Sequence, residues 1–139
     1  MSIRVKQMMA CILAASAAVV GGWATVSPMS FYKNFPWPGR HWVSEAGAYD
    51  EHLVRDVGGL YLALLVVTVW ALFKASDELL RVTGGAWTVF SVPHLLFHLD
   101  HLDGLTTFDK VSQIGSLGVT LLLALALLLA PSRARLRRR

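Results

Sequence analysis

The chain has 139 residues, 55% of them hydrophobic and only 16% charged, with a formal net charge of +4 and a mean hydropathy of +0.52. A soluble domain carries about 45–50% apolar and about 25% charged residues, so this chain lacks the charge to cover a water-facing surface. A water-soluble enzyme is excluded, and uncharged runs of 19, 17 and 17 residues at 8–26, 57–73 and 114–130 match the roughly 17–25 residues a helix needs to cross a bilayer.

Arg4 and Lys6 precede the first run. It exceeds the ~7–15-residue core of a cleaved signal peptide, and reads as a retained membrane helix over about 7–27. Cys11, the only cysteine, has no internal disulfide partner. Ala14, Ala18 and Gly22 recur at four-residue spacing, a stripe that lets helix backbones approach closely in lipid. Ser27-Pro28 ends the helix, and residues 28–49 form an aromatic loop reading F-Y-K-N-F-P-W-P-G-R-H-W from Phe31 to Trp42. That loop is expected either to anchor at the membrane surface or to act as a lid bringing Arg40 and His41 beside a pocket.

Asp50 is placed to cap a second helix over 51–73, after which the polar segment 74–81 turns the chain. The third span, over 84–102, is the least apolar. A turn at 104–107 leads to the last helix, 109–130, stopped by Pro131. Ser112, Ser116 and Thr120 repeat the small-residue spacing there. Trp23 and Trp87 suit the aromatic belts at the membrane interfaces.

Charge decides whether the third span crosses. With four spans, both ends and the 74–81 loop share one side, which then holds Arg4, Lys6, Lys74, Arg81, Arg133, Arg135, Arg137, Arg138 and Arg139. With three, the arginine tail would lie opposite Arg4 and Lys6, against the positive-inside tendency. The expectation is therefore all-α: one domain over 1–139, an antiparallel four-helix transmembrane bundle in the cytoplasmic membrane with both termini cytoplasmic. The basic tail then marks topology and meets anionic lipid rather than nucleic acid.

This topology gathers all five histidines at the outer end, with seven of the nine acids. His94, His98 and His101, spaced four and three apart, lie within a narrow stripe of one helix face. On the second helix His52 and Asp56 share a face, bordered by Arg55, which can pair with Glu51 at i,i+4. Ionisable groups at membrane depth are costly unless they face inward and find partners, so the two sets are expected to face each other. Imidazoles with a carboxylate suit a transition metal such as zinc, copper or iron, with haem a lesser alternative. On that expectation His94, His98, His101, His52 and Asp56 are the candidate ligands, with Arg55, Glu51, Arg40 and His41 at the rim. A buried polar network locking the helices together, and proton handling by the histidines, remain open beside it.

The run Arg55-Asp56-Val57-Gly58-Gly59-Leu60 resembles the arginine-x-x-glycine-glycine-leucine pattern of DoxX-like small membrane proteins. Gly39-Arg40-His41-Trp42-Val43, residues 49–56 and Ser91-Val92-Pro93-His94 are similar to a group of uncharacterised small actinobacterial membrane proteins with this helix order. The resemblance implies the four-helix fold and no established reaction. The histidine stripe departs from the DoxX-like pattern. Three functions follow as expectations: a membrane protein with an outer polar pocket, an accessory subunit of a larger respiratory or transport complex, or a carrier for a small lipid or quinone. No nucleophile–base pair, phosphate loop or cofactor fingerprint points to an enzyme.

Overall fold

A computed structural model describes residues 1–130 and holds five α-helices, with no strand among the described residues. They are α1 (Ile3–Val26), α2 (Pro28–Asn34), α3 (Glu51–Lys74), α4 (Asp77–Asp100) and α5 (Thr107–Leu129). The expected Pro131 stop and the arginine tail over 133–139 lie outside the described residues. Each long helix opens on a side-chain oxygen that accepts a backbone N–H the helix leaves unpaired. Ser2 accepts from Val5, Asp50 from Leu53, Ser76 from Leu79 and Thr106 from Asp109. The left-handed Ala75 (φ 47°) terminates α3, so residues 75–76 suffice to reverse the chain. Helix α2 stands where a loop was expected. Its signal was in the sequence, because Pro28 at the first turn sacrifices an N–H that has no partner there anyway.

Among the described residues three helices, not four, are long and apolar enough to cross a membrane: α1, α3 and α5. Helix α4 has the same length as α3, but Asp77, Glu78 and Arg81 in its first two turns and His94, His98 and Asp100 near its end lower its hydropathy. Apolar side chains point outward on every long helix, among them Ile12, Val19, Val66, Val89, Val119 and Leu122. A surface apolar on all sides suits lipid, not water.

The helices run up and down in succession. Gly21 and Thr25 of α1 lie against Gly58 of α3, Thr68 and Tyr61 of α3 meet Trp87 and Phe90 of α4, and Gly84 of α4 lies against Ala124–Leu128 of α5. Two glycine contacts set the closest approaches. A Cβ at Gly58 would stand 2.7 Å from the Thr25 backbone nitrogen, and one at Gly84 2.6 Å from that of Leu128. The α1 stripe is therefore one residue earlier than expected. Ala10, Ala17, Gly21 and Ala24 are buried, while Ala18 is exposed and Gly22 faces open space. The correction follows from Leu13 and Ala17, whose row of the helix continues through Gly21 and not Gly22.

The tight α1–α3 and α4–α5 pairs meet along a looser seam. At one end it is pinned by Lys6, whose fully buried ammonium reaches Asp77 Oδ1 at 2.5 Å. Midway, the indole N–H of Trp87 donates to Thr68 Oγ1 at 2.9 Å. Trp87 is wholly buried, which corrects its expected place at a membrane interface. Toward the other end the seam opens.

Candidate functional site

The opening is a cavity of about 440 Å³ to which every helix contributes. Its walls are apolar: Val20 from α1, Phe31 from α2 and Phe35 just past its end, Val57 and Tyr61 from α3, Phe97 from α4 and Leu117 from α5. Such a hollow, within the ~300–1,000 Å³ range of ligand pockets and carrying only a few polar groups, matches the usual build of a small-molecule site. Its polar groups include His94 and His98 from α4 and Gln113, Ser116 and Thr120 from α5, with Ser16 of α1 and Asp50 at the start of α3.

The segment 35–50 closes the end of the bundle where α3 begins, held by one carboxylate. Asp109, buried in the first turn of α5, accepts from Trp42 Nε1 at 2.9 Å, from Arg40 Nη1 at 3.1 and 3.0 Å, and from Thr106 Oγ1 at 2.5 Å. The Arg40 guanidinium also lies 4.8 Å from the Phe108 ring centroid, a cation–π contact. Tyr32 donates from its hydroxyl to the Gly47 carbonyl at 2.8 Å, and Phe31 packs on Phe35 at 4.7 Å. Aromatic side chains of the loop thus form the roof, with Trp42 itself part of the lining. Arg40 stands beside the roof as its latch. His41 turns away, exposed, with Nδ1 3.0 Å from the Lys33 carbonyl oxygen.

The histidine stripe of α4 divides. Phe90 stacks on His94 at 5.1 Å, and His94 meets His98 edge-on at 4.8 Å. His101 instead stacks on Phe97 at 4.0 Å at the exposed helix end, its Nδ1 2.8 Å from the Phe97 carbonyl oxygen. The expected partners on α3 do not face this stripe. His52 and Asp56 pair with each other at 3.2 Å on an exposed face, 83% and 64% open. Arg55 pairs with Glu51 at 2.9 Å and donates to the Thr25 carbonyl, also on the outside. The reason is helical phase. Packing places Val54, Val57 and Tyr61 toward the seam, and at 100° per residue this turns His52, Asp56 and Gly59 to the opposite side.

The metal set expected from sequence is corrected accordingly. Among the described residues no group of three or more His, Cys, Asp or Glu side chains is placed to hold an ion. Two imidazoles fall short of the three protein ligands of a catalytic zinc or the four of a structural one.

Two residues assigned to helix packing, Ser116 and Thr120, belong to the cavity wall, where Ser116 is exposed rather than clamped against a neighbour. Ser116 Oγ donates to the Gln113 carbonyl and Thr120 Oγ1 to that of Ser116, at 2.9 and 3.0 Å. Ser112 is not part of that lining. Gln113 was not among the residues expected from the sequence to form a site. Its signal is an uncharged amide in an apolar helix, three and seven residues before Ser116 and Thr120, hence on their face. Gln113 is only 3% exposed, yet its Oε1 has no hydrogen-bond partner in the protein, and neither has the buried Nδ1 of His98. Buried polar atoms are almost always paired, so both call for an explanation. Comparison with family models, with curated proteins and with solved structures finds no match to this chain.

Proposed function

We propose that this is a small four-span protein of the cytoplasmic membrane, both termini inside, that binds a lipid-soluble small molecule in a cavity within its outer half. The observation that carries this reading is the 440 Å³ hollow itself, apolar, roofed by residues 35–50 and containing a buried amide with a free acceptor. At about 440 Å³ the hollow has roughly fifteen times the ~30 Å³ a water occupies in the liquid, room for a small molecule. Of the functions expected from sequence, the carrier of a small lipid gains support and the metal site loses its ligand set.

Placing α4 across the membrane rests on its length and neighbours. Its 24 residues rise about 36 Å, more than a hydrocarbon core of about 30 Å, and it packs antiparallel to both α3 and α5. Its first two turns, with Asp77, Glu78 and Arg81, then lie at the cytoplasmic surface beside Lys6, and the histidines lie toward the outside.

Two experiments test the reading. In a Cys11→Ser background, Gly47→Cys is expected to react with a membrane-impermeant maleimide from outside, and Ser76→Cys only after permeabilisation. The reverse result refutes the orientation. Protein in phosphatidylcholine nanodiscs is then titrated with radiolabelled dodecanol. Uptake above empty nanodiscs is expected to saturate near one molecule per chain, and to vanish when Ser116→Leu and Thr120→Leu together fill the cavity. Uptake that never saturates, or that survives the filled cavity, refutes the binding function.

A further inference from the structure

We infer that the ligand is an uncharged amphiphile with a hydroxyl head seated at Gln113 and His98, whose apolar tail reaches the bilayer between α3 and α4 past His94. This rests on the binding function proposed above and adds the chemistry of the head and the route of access.

The head follows from the two unpartnered atoms. Gln113 Oε1 accepts, and His98 Nδ1 accepts or donates according to its tautomer. A hydroxyl has one donor and two acceptor sites, so it donates to Gln113 Oε1 and at the same time accepts from His98 in the tautomer that carries the hydrogen on Nδ1. A carbonyl group only accepts and leaves Oε1 without a donor. A charged head meets no counter-charge inside. The one carboxylate in the lining, Asp50, is exposed at the rim with its Oδ1 taking the Leu53 N–H at the start of α3, and burying an unpaired ion is strongly unfavourable.

The route follows from a second hollow. A shallow groove on the outer flank of the α3–α4 seam is lined by Leu60, Val89, Phe90, Pro93 and His94. His94 borders both groove and cavity, so its ring, stacked on Phe90, is the partition between them. Leu60 and Val89 are 47% and 76% exposed on the lipid side. At the roof, Asp109 ties down Arg40 and Trp42. Pro93, which has no N–H to give the Val89 carbonyl, weakens the helix at this partition.

The test compares radiolabelled dodecanol, dodecane and dodecyltrimethylammonium on protein in phosphatidylcholine nanodiscs, with empty nanodiscs subtracted. Dodecanol is expected to bind about tenfold tighter than dodecane, the worth of roughly one net hydrogen bond. Gln113→Leu and His98→Phe are each expected to lower it to the dodecane level without changing dodecane uptake. Leu60→Trp, at the groove, is expected to slow loading several-fold at unchanged saturation.

Equal binding of dodecanol and dodecane by the unaltered protein overturns the head assignment while leaving the cavity function standing, and needs no variant to fold. Tighter binding of the ammonium probe overturns the uncharged head. Unchanged loading in Leu60→Trp overturns the lateral route. Failure of every probe to saturate refutes the binding function itself.

Discussion

Gly84→Ala puts the packing of the bundle to its sharpest test, because one methyl group must enter the closest approach to a neighbouring helix backbone. Its Cβ would lie 2.6 Å from Leu128 N, 2.7 Å from Ala124 O and 2.8 Å from Leu127 Cβ. Two of those atoms belong to the α5 backbone and move only with the helix. Restoring an ordinary contact of 3.4 Å shifts α5 by about 0.8 Å and loosens Leu80, Trp87, Ala124 and Leu127, all of them fully buried. Overpacking of this kind costs about 1–3 kcal/mol, and the rigid partners place it near the upper end. Removing a helical glycine returns about 0.5–1 kcal/mol, leaving a net loss of about 2 kcal/mol.

Gly118→Ala on α5 is the matched control, since its Cβ enters open space and only the gain of about 0.5–1 kcal/mol remains. The two variants are thus expected to differ by about 2.5–3 kcal/mol, roughly a hundredfold in the unfolding constant. Dodecyl sulfate titration in mixed micelles, followed by tryptophan fluorescence, measures this. Gly84→Ala unfolding at or above the dodecyl sulfate fraction of Gly118→Ala would refute the close α4–α5 approach, and with it the seam geometry that leaves room for the cavity.

Other perturbations reach the remaining joints. Asp109→Ala releases Arg40 and Trp42 together, so trypsin is expected to cut after Arg40 at least about tenfold faster than in the unaltered protein, because proteolysis follows the open population; an unchanged rate would show the roof to be held elsewhere. Thr68→Val removes the acceptor of a buried indole N–H, with an expected loss of about 1–3 kcal/mol in the same unfolding titration. Lys6→Met takes the ammonium from beside Asp77 and is expected to destabilise by about 1–2 kcal/mol, less than for a fully enclosed pair because Asp77 is 34% exposed; Lys6→Met with Asp77→Asn is expected to recover most of it. His52→Ala is expected to leave stability and dodecanol uptake within error, since the His52–Asp56 pair stands on the exposed face.

The membrane class, the long helices and the Asp50 cap were legible in the sequence because each depends on short-range chemistry. An uncharged run of about 20 residues has few other fates, and Asp50 satisfies an N–H only three residues away; Ser76, by contrast, opens α4 inside the 74–81 segment expected as a turn. Charge content marked α4 as the least apolar of the four long helices before the structure did. Helical phase was not legible. His52 and Asp56 share a face by their spacing, but which way it turns depends on Gly58 and Tyr61 finding α1 and α4, a contact between residues dozens of positions apart. The same applies to Ala18 and Gly22, one step from the buried row, and to His101, drawn to Phe97 at a free helix end. Tertiary packing alone decided that the two helix pairs meet loosely, that the gap collects Gln113 with His94 and His98, and that a carboxylate in α5 holds the aromatic loop over it. Sequence determined that histidines gather at one end of a membrane bundle; the fold decided that only two of them face a cavity, because that cavity is the space two glycine-tight pairs fail to fill.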